Sequence, residues 1–98
     1  MIDATKHYQL TVLTPEGPVY TGDVVSLVAP GKSGKLRVLA HHVPLLCALS
    51  KGALVCREQK GAWLHFEIEE GILEVTPEGV RILTDSAERV PIKVAPRF

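Results

Sequence analysis

The sequence has no excess of either charge: eleven Lys and Arg balance eleven Asp and Glu. A phosphate-binding surface needs a basic surplus, so this balance argues against nucleic acid as a partner. Long hydrophobic runs are missing too, and none approaches the ~20 apolar residues that cross a bilayer as a helix. The first six residues, Met1 to Lys6, lack the apolar core of a secretory signal, which predicts a chain kept in the cytosol. Cysteine is scarce. Cys47 and Cys56 each sit among apolar neighbours, the setting of buried, reduced thiols and not of a disulfide. Repeats and low-complexity tracts are absent, and no window before Asp85 holds the i, i+3, i+4, i+7 spacing of an amphipathic helix. At 98 residues the chain has room for one domain with one core.

What the sequence does have is period two. Tyr8, Leu10 and Val12 alternate with polar residues before the turn Thr14-Pro15-Glu16-Gly17. Val19-Tyr20 opens a short second strand that Thr21-Gly22-Asp23 interrupts, and Val24 to Ala29 reads as a strand with neither face in water. Leu64, Phe66 and Ile68 point inward from a strand whose Trp63, His65, Glu67 and Glu69 point outward. Turn signals at Pro30–Lys35, Ser50–Gly52 and Pro77–Gly79 separate further short strands. Such spacing predicts an all-β sandwich or barrel. Asp85 to Arg89 has the pattern of a single capped helical turn, which Pro91 would stop.

Several residues invite a chemical reading. Gly31-Lys32-Ser33 matches the tail of a phosphate-binding loop, but Ser26 stands where that motif needs glycine, and a strand pattern follows where it needs a helix. The run is therefore a glycine-rich hairpin turn. His41-His42, with Cys47 nearby, suggests a metal, yet adjacent residues on an extended chain point to opposite sides, and Cys56 and His65 lie at no ligand spacing. Ser26, Ser33, Ser50 and Ser86 lack an elbow motif, and Glu67 and Glu69 are accounted for as a wet strand face. No catalytic, cofactor or metal site emerges. Trp63 remains open as either a shield over the sheet or a contact for a partner.

From Tyr8 to Arg89 the chain resembles the N-terminal domain of the epsilon subunit of F-type ATP synthases, whose mitochondrial equivalent is called delta. The matching stretches, in order, are LTVLTPEGPVYTGDV, PGKSGKLRVLAHHVPLLCAL, EEGILEV and VRILTDSAER. The resemblance implies a flattened antiparallel β-sandwich of about ten short strands over residues 1–89, with 90–98 as a tail. It also implies a non-catalytic rotor subunit that links the gamma subunit to the membrane c-ring and couples ion translocation to ATP synthesis or hydrolysis. Such a subunit holds no cofactor and sits peripherally on the cytoplasmic face of the inner membrane. The gamma contacts it implies map to Thr14, His42 and Cys47, and the c-ring contact to the hairpin Lys32, Ser33, Gly34 and Lys35.

Three departures from the family pattern stand out. Lys35 occupies a position that is usually acidic, so the cognate c-subunit loop is expected to carry a carboxylate. Ala40-His41 replaces the usual Pro-Gly. The helical hairpin that follows the sandwich in most relatives has no counterpart up to Phe98, so neither its inhibitory motion nor its ATP binding is assigned to this chain. The alternative reading is a free-standing β-sandwich that binds another protein or a small ligand through Trp63 and the histidine pair.

Overall fold

A computed structural model describes residues 6–40 and 44–92. Nine strands account for its regular structure, and no helix occurs among the described residues. In chain order they are β1 (Tyr8–Thr14), β2 (Gly17–Gly31), β3 (Gly34–Leu39), β4 (Leu45–Leu49), β5 (Gly52–Glu58), β6 (Trp63–Ile68), β7 (Gly71–Thr76), β8 (Gly79–Thr84) and β9 (Ala87–Val90).

The long β2 organises the rest. Its first half pairs antiparallel with β1, from Thr14↔Gly17 to Tyr8↔Val24. Its second half pairs with β3 and β5, so one strand passes from one layer into the other. The first layer runs β1-β8-β7-β4, and the second runs β2-β5-β6-β9 with β3 on the other side of β2. All pairings are antiparallel except β1 with β8, which is parallel.

This corrects the reading of Thr21-Gly22-Asp23 as an interruption. The chain stays extended through it, and Gly22 is required for packing: a Cβ there would meet the Tyr20 hydroxyl at 2.3 Å. The register shift between Val24 and Ser26, opposite β5, marks where the strand bends. Val24 to Ala29 is buried on both faces, as the apolar run predicts.

Period two is realised in the core. Leu10, Val12, Leu73 and Ile82 from the first layer join Leu27, Leu54, Cys56, Phe66 and Ile68 from the second in one buried cluster. The Tyr8 hydroxyl donates to the Val38 carbonyl at 2.6 Å and ties β1 to β3. Burial raises the Tyr8 and Tyr20 hydroxyls well above the usual phenol range, helped at Tyr20 by its 2.6 Å hydrogen bond to Glu58. Burial also pushes the Cys56 thiol up to about 12, with the Glu58 charge adding and Arg89 opposing.

The segment read as a helical turn is instead β9. It pairs with β6 from Ile68↔Ala87 to His65↔Val90, and the Glu69 amide donates to the Ser86 carbonyl at 3.1 Å. Tertiary hydrogen bonding overrides the local capping pattern here.

Candidate functional site

Strand alternation places Leu13, Leu83 and Ile72 opposite to the core-facing residues of β1, β8 and β7. Register then lines them up: Leu13 lies beside Leu83, Leu83 beside Ile72, and Ile72 beside Ala48 of β4. The result is an apolar row across all four strands of the first layer. Ile72 and Leu83 are 45% and 43% exposed, and Leu46, two residues along β4 from Ala48 and on the same face, is 71% exposed. Side chains of this kind, side by side on an outer face, mark a docking surface. An open groove of about 390 Å³ follows the row, lined by Leu13, Pro15, Ile72 and Leu83 with Thr14, Glu70 and Asp85 at its edge.

The backbone beneath the row is tightly drawn. A Cβ at Gly71 would meet the Leu83 carbonyl oxygen at 2.1 Å, so only glycine lets β7 start this close to β8. The buried Thr84 hydroxyl lies 3.0, 3.1 and 3.2 Å from the Glu69, Glu70 and Ser86 carbonyl oxygens and is shared among them as donor. Two turns are thereby stitched together at the groove's rim.

The hairpin read from Gly-Lys-Ser is present as a two-residue turn, Lys32-Ser33, closed by the pair Gly31↔Gly34. Gly34 has φ +128, a conformation that side chains disfavour, and β3 follows directly. No helix stands there to present amides to a phosphate. The hairpin is tied to the end of β4 at its turn and just before it: the Lys32 amide donates to Ala48 at 3.1 Å, and the Ser50 amide to Pro30 at 2.7 Å. Lys32 Nζ reaches Glu70 at 3.2 Å, whereas Lys35 makes no ion pair among the described residues.

Of the residues expected to contact partners, the structure describes Thr14, Cys47 and the hairpin Lys32 to Lys35; Cys47 is paired with core-facing Leu73 and so lies on the face opposite the apolar row. Thr14 lines the groove, and its hydroxyl closes the β1–β2 turn by donating to Gly17 at 3.2 Å. Cys47 sits on β4, three strand steps from β1, or roughly 14 Å away. Its thiol is half-exposed, which corrects the expectation of burial: Leu49 is fully covered, but cover is lost along β4 towards Leu45. His42 and its neighbour His41 lie outside the described residues. No group of three or more metal-ligating side chains occurs among the described residues.

The sequence reading passed over Leu13, Leu46, Ile72 and Leu83. Their signal was apolar residues at both parities of the same strand, as in Ile72-Leu73 and Ile82-Leu83. Trp63 is partly covered, with the Arg57 guanidinium 5.5 Å from its ring centre.

Known proteins fit this geometry. Residues 7–90 match the family model of the ATP synthase delta/epsilon chain β-sandwich domain. The ATP synthase epsilon chain of Moorella thermoacetica is 40% identical over 80 residues, which cover 82% of this chain and 60% of that protein. The epsilon chain of Acidithiobacillus ferridurans is 43% identical over 79 residues, covering 80% and 55%. The chain therefore spans about 60% of the length of the curated relatives it matches. Among solved structures, a chain of the Euglena gracilis mitochondrial ATP synthase superposes with TM-score 0.80 at 23% identity, over 91% of this chain and 56% of that one. A chain of the Tetrahymena thermophila ATP synthase central stalk and c-ring gives 0.70 at 18% identity, over 82% and 64%. The fold is shared with both, and by sequence this chain belongs to the family of the ATP synthase delta/epsilon chain β-sandwich domain.

Proposed function

We propose that this domain is a non-catalytic rotor subunit of an F-type ATP synthase, joining the gamma subunit to the c-ring on the cytoplasmic side of the membrane. The observation that carries the reading is the apolar row Leu13–Leu83–Ile72–Ala48, extended by Leu46, beside a basic hairpin. The row supplies a dry centre for a lasting contact with gamma, and the hairpin offers a charged tip to the polar loops of the ring. A stable interface needs about 800 Å² per partner, roughly an eighth of the 6064 Å² surface. Torque passes between the two contacts through β4, whose end is bonded to the hairpin at its turn. A two-layer sandwich packed at crystal-like density suits a part that must not bend.

The ring contact is specific to this chain's charge. With Lys35 on the hairpin's β3 arm, the cognate c-subunit loop carries a carboxylate, and Lys35→Glu weakens assembly with that ring. The deciding experiment is co-purification from membranes with the wild-type chain and with Ile72→Asp. The wild type brings down gamma and c subunits, and Ile72→Asp loses gamma. A wild-type chain recovered alone would instead favour a free-standing binding module.

A further inference from the structure

The groove along the apolar row has a charged edge that the row alone does not explain. Two carboxylates line it, Glu70 and Asp85, and two more, Glu69 and Glu16, sit next in sequence to lining residues. Two of them are answered from within the chain. Glu70 meets Lys32 at 3.2 Å and Glu69 meets Lys51 at 3.7 Å. Asp85, on the groove's wall, and Glu16, whose Oε1 lies 3.4 Å from the Thr14 hydroxyl, meet no cation among the described residues.

The placement of Asp85 is built and not incidental. Thr84, the residue before it, is buried and bonded to both turns, and the Glu69 amide bonds to Ser86, the residue after it. Asp85 is thus pinned from both sides while its own side chain stays exposed at the groove. An acid held beside an apolar slot repels a partner that is apolar and acidic, and rewards one that is apolar and basic.

We infer that the groove selects a gamma segment in which a large apolar side chain is flanked by lysine or arginine, the apolar group entering between Leu13, Ile72 and Leu83 and the cation meeting Asp85, with Glu16 in support. This rests on the proposal that the apolar row docks the gamma subunit. The unanswered charges at this end then have opposite tasks: Asp85, with Glu16, reads a cation on one partner, and Lys35 an anion on the other.

The test measures binding of the full chain to its cognate gamma subunit by titration calorimetry, at low and at high salt. Asp85→Asn is expected to bind about fivefold to tenfold more weakly at low salt and to lose most of that difference at high salt, because a rim charge acts through screened attraction. Asp85→Lys is expected to be weaker still, and reversing a single lysine or arginine of gamma to glutamate restores it. Ile72→Asp, measured alongside, is expected to abolish binding at both salt concentrations. If Ile72→Asp abolishes binding while both Asp85 variants match the wild type, the charge rule is wrong and the docking surface stands. If Ile72→Asp binds as the wild type does, the docking proposal itself fails, and the charge rule with it.

Discussion

The outer faces of the two layers are built from the same kind of short strand and end up unlike each other. On β5 and β6 the outward residues look after one another: Arg57 covers Trp63, and His65 Nε2 sits 2.6 Å from the Glu67 carboxylate. On β1, β8, β7 and β4 the outward residues include a row of aliphatic side chains with no such arrangement. Polar groups on the first of these faces are satisfied within the chain, whereas apolar area on the second is relieved only by a partner. Charge does not divide in this way: beside the row Arg81 pairs with Glu74 at 2.8 Å, and Lys32 pairs with Glu70 at the groove, which leaves Asp85 over.

The largest test of this contrast is Ile72→Asp against His65→Ala. The first should weaken gamma binding by about 30-fold or more, as loss of a central apolar contact does, and the second should leave it unchanged. Circular dichroism should show both variants folded, since each residue is on an outer face.

A second variant asks whether the row depends on the backbone beneath it. Gly71→Ala puts a Cβ 2.1 Å from the Leu83 carbonyl oxygen, and chemical denaturation should show a loss of about 1–3 kcal/mol. In the core between the faces, Ser26 is 1% exposed and its hydroxyl has no hydrogen-bond partner among the described residues. Ser26→Ala should therefore stabilise the fold, by about 1 kcal/mol, in the same assay.

Alkali acts on the core as well. Cys56 and Tyr8 are held in their protonated forms by burial, so both release protons more readily in the unfolded chain. The stability this contributes is intact below about pH 9 and is lost as pH climbs towards about 12, the folded value for Cys56. Melting temperature should fall across that window and stay flat just below it. The smallest effect belongs to Lys32→Ala, which removes an exposed ion pair and should cost less than about 0.5 kcal/mol.

The strands with strict alternation were legible from residues alone: Tyr8-Leu10-Val12 and Leu64-Phe66-Ile68 face inward as their spacing requires. Two features were hidden because a local signal meant something else. Gly22 looks like a strand breaker but makes room for Tyr20, and Asp85-Ser86-Ala87-Glu88 looks like a helix cap but feeds an edge strand. The apolar row was hidden for a different reason. Leu13, Leu46, Ile72 and Leu83 come from four strands, and only the pairing register brings them together. The hairpin at Lys32-Ser33 was plain from its glycines, while its bonding to Ala48 and Ser50 was not, because nothing local announces a contact with β4.

The central claim is that one outer face binds and the other does not. Methyl and side-chain NMR of the labelled chain, titrated with the cognate gamma subunit, tests it most directly. The account predicts large shifts at Leu13, Leu46, Ile72 and Leu83 and none at Trp63 or His65. Shifts confined to Trp63 and His65, with the leucine and isoleucine methyls unmoved, would contradict it.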